Sequence, residues 1–140
     1  MLAKTSEDVQ NQIVNVVKDF IKKDVDPIAS TYEQEDIYPH ELIPTMKELG
    51  LFGITIPEEY GGMGLDFTTF AKIFEEISKG WMRLSGIIGT HHILSHVISN
   101  YGTDEQKNRI LPKMATGEIR GALALTEPEA VSYTHLTLPT

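Results

Sequence analysis

Arg83-Leu-Ser-Gly-Ile-Ile-Gly-Thr-His-His-Ile-Leu-Ser-His-Val-Ile-Ser-Asn-Tyr101 is apolar or small on nearly every helical face. A helix with that pattern is buried on several sides, which predicts the central helix of a bundle. The apolar run inside it, Leu84 to Ile98, is interrupted by Gly, Thr, Ser and His. It is too short and too polar to span a bilayer.

Downstream, Gly102 ends this helix. Thr103-Asp-Glu-Gln106 has the spacing of a capping box and opens a further helix that turns Ile110, Leu111 and Met114 inward. The Leu111-Pro112 pair is expected to bend or end it. Gly117-Glu-Ile-Arg-Gly-Ala-Leu-Ala124 then reads as a turn feeding a short apolar strand, predicted over 118–125, with no partner strand in the chain.

Upstream, Asp66 caps a helix with Phe67, Phe70, Ile73, Phe74 and Ile77 on one face. Leu51 to Leu65, rich in Gly and Pro, reads as a loop. A short helix is predicted from Tyr38-Pro39, with Leu42, Ile43, Met46 and Leu49 as its buried stripe and Gly50 as a left-handed cap. The first helix starts at Thr5 or Ser6, with Glu7 and Asp8 in its first turn. Val9, Ile13, Val16, Val17, Phe20 and Ile21 share its face. Pro27 kinks or breaks it, with a further turn or two to Tyr32 or Glu35. The fold class is therefore all-α, a helical bundle over residues 1–117 with one incipient strand at the C-terminal end.

With 41% hydrophobic and 23% charged residues, the 140-residue chain has an ordinary globular composition and can build a core. Its formal charge of −8 and lack of a basic patch speak against a nucleic-acid partner. No Cys is present, which removes disulfides, thiolate metal sites and a thiol nucleophile. Neither a secretory signal nor a membrane span is legible, so cytoplasm is the expected location.

Several motifs invite chemistry and have structural explanations. Gly61-Gly-Met-Gly64 lacks the spacing and the Lys-Ser/Thr of a phosphate loop, so a tight turn with positive φ angles is expected. His92 and His96 are four apart on one helix face, a chelating spacing, but Ile93 stands where H-E-x-x-H has Glu. Surface or interior histidines with hydrogen-bond partners are expected instead, and no metal. Glu75 and Glu76 point about 100° apart on a helix and cannot converge on one atom. A solvated face is expected. Ser85, Gly86 and Gly89 are small residues that let another helix approach closely.

Leu125-Thr-Glu-Pro-Glu-Ala130 carries the functional signal. Pro128 cannot donate to a ladder, so the backbone must turn away there, freeing amides, carbonyls and the Thr126 hydroxyl to face a ligand. The segment resembles the flavin-contacting signature of the acyl-CoA dehydrogenase family, Leu-Thr-Glu-Pro-x-x-Gly-Ser-Asp. Glu48-Leu-Gly-Leu-Phe-Gly53, Ile56-Pro-Glu-Glu-Tyr-Gly-Gly-Met-Gly-Leu65, Tyr101-Gly-Thr-Asp-Glu-Gln-Lys107 and Leu111-Pro-Lys-Met-Ala-Thr-Gly-Glu118 resemble further family segments, in the family's order. The signature is followed to Ala130 and then lost: Val131 replaces its Gly, and no Asp follows Ser132. Val131 to Thr140 back-translates to a DNA string resembling a transposase adapter used in preparing sequencing libraries. These ten residues are expected to be adapter read-through; the competing reading is a β-branched strand.

The resemblance implies an FAD enzyme that desaturates acyl-CoA thioesters at the α,β bond. It also implies a middle β domain, opened here by 118–130, and a C-terminal helical domain that carries the proton-abstracting carboxylate beyond residue 140. No catalytic residue is expected in this chain, and the fragment alone should be inactive. Leu125 and Thr126 would hydrogen-bond the flavin ring, with Leu123 and Ala124 alongside. Ser85, Gly86 and Gly89 would leave room for an acyl chain. The implied partners are an acyl-CoA substrate, electron-transfer flavoprotein and, at full length, a homotetramer. The alternatives are a flavin-dependent oxidase or monooxygenase of the same fold, or a non-catalytic helical interaction module.

Overall fold

The computed structural model describes residues 5–125. Thr126, the rest of the Thr-Glu-Pro segment and Val131 to Thr140 lie outside the described residues, as do residues 1–4.

Six α-helices account for most of the described chain: α1 (Glu7–Phe20), α2 (Asp26–Gln34), α3 (Leu42–Glu48), α4 (Phe67–Gly80), α5 (Met82–Tyr101) and α6 (Asp104–Ala115). α1 packs on α4, α4 on α5 and α5 on α6, so the bundle expected from the sequence forms. Ser6 caps α1 by accepting from Val9, and Asp66 caps α4 by accepting from Thr69. Asp66 also accepts from the Thr5 amide at 2.7 Å, tying the starts of α1 and α4 together. These donors, the Thr5 amide foremost, hold its carboxyl well below the usual carboxylate range. At α6, Thr103 and Gln106 make the reciprocal capping box.

At three prolines the structure refines the sequence reading. The disturbance expected at Pro27 takes a particular form. The chain widens into a π turn, Ile21–Val25, and α2 restarts with Pro27 in its first turn, where its missing amide costs nothing. The short helix begins at Leu42 rather than Tyr38-Pro39, because 38–41 form tight turns: Leu42 donates to the Pro39 carbonyl and Ile43 to that of His40. Pro44, not Pro39, takes its first-turn position. α6 runs through Pro112 to Ala115, since that side of the helix is exposed and water can satisfy the freed carbonyl.

Residues 51–65 form the expected loop, with one 3₁₀ turn at Glu58–Tyr60, but its first half is not a surface segment. Leu51, Phe52, Ile54 and Ile56 are fully buried and belong to the core itself. The segment folds back on itself, with Met63 donating to the Gly53 carbonyl, Leu65 to Ile54 and Gly64 to Ile56. Gly62 lies so close to the Ile56 carbonyl that a Cβ would sit 2.1 Å from its oxygen. The Gly61-Gly-Met-Gly64 turn is thus structural, with φ of 81° at Gly61 and 61° at Gly64.

α5 is buried along one arc only, through Leu84, Ser85, Ile88, His91, His92 and Ser95. Met82 (71%) and Tyr101 (82%) are exposed, as are Ile93 and Val97. The apolar character read all round this helix therefore divides into a core face and a face uncovered among the described residues. No strand forms among them either: 120–125 makes no ladder hydrogen bond to another segment of the described residues, and a ladder requires a partner. No described helix is long and apolar enough to cross a membrane.

Candidate functional site

The polar centre of the molecule is the adjacent pair His91 and His92. The Nε2 atoms lie 3.0 Å from the Phe52 carbonyl and 2.9 Å from the Leu51 carbonyl, respectively. A carbonyl only accepts, so both rings carry their proton on Nε2. Each Nδ1 is then an acceptor. That of His92 takes the Thr55 hydroxyl at 2.9 Å, and that of His91 takes the Gly121 amide at 3.2 Å. The neutral rings are fully satisfied, and no buried side-chain nitrogen or oxygen among the described residues lacks a partner. Burial pushes the His92 ring down to about 4 and lowers His91 in the same direction, against the partial offset of their carbonyl partners. The pair therefore pins the irregular 51–56 segment to α5. Among the described residues no three metal-ligating side chains come together. His96, the other half of the chelating spacing, is exposed and stacks edge-on with Phe67.

The same pair reaches the C-terminal segment. After Gly117, the chain is held at three successive residues. The Ile119 amide donates to the Lys113 carbonyl, the Arg120 guanidinium to the Tyr38 hydroxyl at 2.6 Å, and the Gly121 amide to His91. Beyond Gly121 the holding stops. Ala122, Leu123, Ala124 and Leu125 are exposed, Leu125 at 77%, and make no hydrogen bond among the described residues. Of the four residues expected to contact a flavin, Leu123, Ala124 and Leu125 form one exposed strip, and Thr126 lies outside the described residues.

The small residues of α5 do not act together. Ser85 is 1% exposed and donates to the Met82 carbonyl inside the bundle. Gly86 faces open space, where a Cβ would meet nothing within 4 Å. Gly89 borders a groove of about 260 Å³ with Phe67, Phe70, His92, Ile93, His96 and Val97, and a Cβ on it would touch the Phe74 ring at 3.2 Å. Glu75 and Glu76 both pair with Lys79 at 2.9 Å on the outer side of α4, a charged surface rather than an acid–base pair.

Sequence reasoning missed the Gly121–His91 bond and the burial of 51–56. A signal for the second was present, since Leu51-Phe-Gly-Ile-Thr-Ile56 is an apolar run bounded by Gly50 and Pro57. Nothing local signals the first.

Residues 7–118 match the family model "Acyl-CoA dehydrogenase, N-terminal domain". An acyl-CoA dehydrogenase of Bacillus subtilis (strain 168) is 36% identical over 126 residues, which cover 88% of this chain and 33% of the relative. The crystal structure of an acyl-CoA dehydrogenase complexed with FAD from Bacillus anthracis superimposes with a TM-score of 0.79 at 38% identity, covering 91% of this chain and 22% of that one. Butyryl-CoA dehydrogenase from Megasphaera elsdenii gives a TM-score of 0.83 at 28% identity, covering 91% and 34%. The chain belongs to the acyl-CoA dehydrogenase family, through its N-terminal helical domain. It spans about one third of the length of the curated relatives it matches.

Proposed function

We propose that this chain is the N-terminal part of an FAD-dependent acyl-CoA dehydrogenase, with residues 1–117 as its helical domain and 118–130 opening a middle β domain. What supports the reading, beyond family membership, is the strip from Ala122 to Leu125, whose amides and carbonyls have no partner among the described residues and lie beside exposed leucine side chains. That donor set fits a flavin, whose ring presents hydrogen-bonding nitrogens and oxygens at its edge and an apolar face. Leu123, Ala124, Leu125 and Thr126 would hold it, and when bound it would supply the acceptor for a hydride from the acyl β-carbon.

The chain's own part is orientation and exclusion of water. The groove beside Gly89 offers an apolar bed for the acyl portion of an acyl-CoA, with Gly86 open at its side. The base that takes the α-proton belongs to a C-terminal domain, electron-transfer flavoprotein is the oxidant, and the complete enzyme is a cytoplasmic homotetramer. The 140-residue chain alone is inactive, and Val131 to Thr140 is adapter read-through.

The test is the flavin content of the complete enzyme. Leu125→Pro removes an amide donor from a segment outside any helix, and Thr126→Val removes a hydroxyl. Both should lower bound FAD with little change in thermal stability; unchanged FAD in both would overturn the reading. The chain alone should purify colourless. Gly89→Leu in the complete enzyme should cost activity on longer acyl-CoA substrates first.

A further inference from the structure

We propose that His91 is a positioning residue for the flavin-contacting strip: its ring ties the Gly121 amide, two residues before Leu123, to the Phe52 carbonyl in the buried core. The inference rests on the flavin reading of Leu123 to Thr126 and adds what fixes that strip in space.

Three contacts hold the segment, and they differ in rigidity. Arg120 meets Tyr38 on the surface, where a long side chain keeps its freedom. Ile119 reaches only the last turn of α6. His91 is fully buried, its ring packs edge-on against Phe52 at 5.2 Å, and Nε2 is held by the Phe52 carbonyl. Of the three anchors, only this one comes from the core. Gly121 allows the approach, since a Cβ there would lie 2.6 Å from Leu94 Cδ2.

The clamp requires the neutral ring. With its proton on Nε2, His91 donates to Phe52 and accepts from Gly121. A second proton turns Nδ1 into a donor facing an N–H, and the strip is released. The titratable and charged groups facing the ring are His92 on its own helix and Arg120 on the terminal segment. The core segment brings Phe52 and α6 the Met114 carbonyl, neither of which titrates.

The experiment begins with the ¹⁵N-labelled chain as it is. Above neutral pH, nuclear magnetic resonance should show a scalar coupling across the hydrogen bond from the Gly121 amide to His91 Nδ1. On acidification the coupling should vanish, and the Gly121 resonance should move with the protonation of His91. His91→Gln keeps a donor near the Nε2 position but no acceptor near Nδ1, so Gly121 and the strip after it should shift. His91→Asn keeps the acceptor and should preserve them. In the complete enzyme, His91→Gln should weaken FAD binding about tenfold, the worth of one lost positioning bond, and His91→Asn should recover most of it.

Absence of the coupling, or a Gly121 resonance indifferent to His91→Gln, overturns the proposal. FAD binding unchanged in His91→Gln while the coupling is present in the parent overturns the positioning role. The wild-type titration needs no variant and decides the clamp even where a substitution impairs folding. Failure of the flavin reading shows separately, as unchanged FAD content in Leu125→Pro and Thr126→Val.

Discussion

Two irregular segments of this chain are built from similar residues and have opposite fates. Leu51 to Ile56 and Ala122 to Leu125 both lack helix and strand, and both are mostly apolar. The first is buried, its Leu51 and Phe52 carbonyls answered by two histidines and Gly53 closed against the 62–65 turn. The second is exposed, and its backbone has no partner among the described residues. Irregular backbone enters a core only when each polar group finds a partner. Where partners are missing beside apolar side chains, the segment is a surface suited to a ligand or a further domain. His91 bonds Phe52 in the first segment and Gly121 immediately before the second, which is how the order of the first is proposed to reach the second.

The sharpest way to break this contrast is Phe52→Ala. Phe52 is fully buried, and the substitution should cost roughly 3–5 kcal/mol in chemical denaturation of the chain. A loss below about 1 kcal/mol would mean that 51–56 is not core.

Acid should have the next largest effect. The folded state keeps His92 neutral down to about pH 4, whereas the unfolded chain takes up the proton near the ordinary 6.5. Between those values the unfolded form binds more protons. The stability held by His92 is therefore complete above about pH 6.5 and is lost as the pH falls toward 4, by roughly 3 kcal/mol. His91 acts in the same direction. Denaturation midpoints from pH 7.5 to 4 should show the decline, and His92→Gln should flatten it. Equal slopes in the two proteins would contradict the buried neutral pair.

Thr103→Ala removes one half of the α6 capping box, remote from both segments, and should cost about 1 kcal/mol. It sets the scale of an ordinary local contact. Leu123→Ala should be the smallest change, within about 0.5 kcal/mol for the chain, because the side chain is already exposed. A larger loss would place Leu123 in the core and erase the contrast.

Most of the bundle was legible because helices announce themselves locally. Ser6, Asp66 and the Thr103–Gln106 pair cap where their side chains predict. The stripes of α3 and α4 bury Leu42, Ile43, Met46, Ile73 and Ile77 as their spacing requires. The π turn at Ile21–Val25 was not legible, since Pro27 forbids a regular helix without saying which irregular one replaces it. Neither was the division of α5 into two faces, because an apolar helix does not say which side its own chain covers. At the candidate site, Leu123 to Leu125 could be named from motif, whereas His91 could not: its partners lie 39 and 30 residues away in sequence.

The most direct test is hydrogen exchange at Ala122 to Leu125 in the complete enzyme, measured without and with FAD. The amides of 122–125 should exchange near unfolded rates without the cofactor and slow markedly when it is bound, while those that pack 51–56 into the core stay protected throughout. Exchange at 122–125 that is the same in both states would contradict the account.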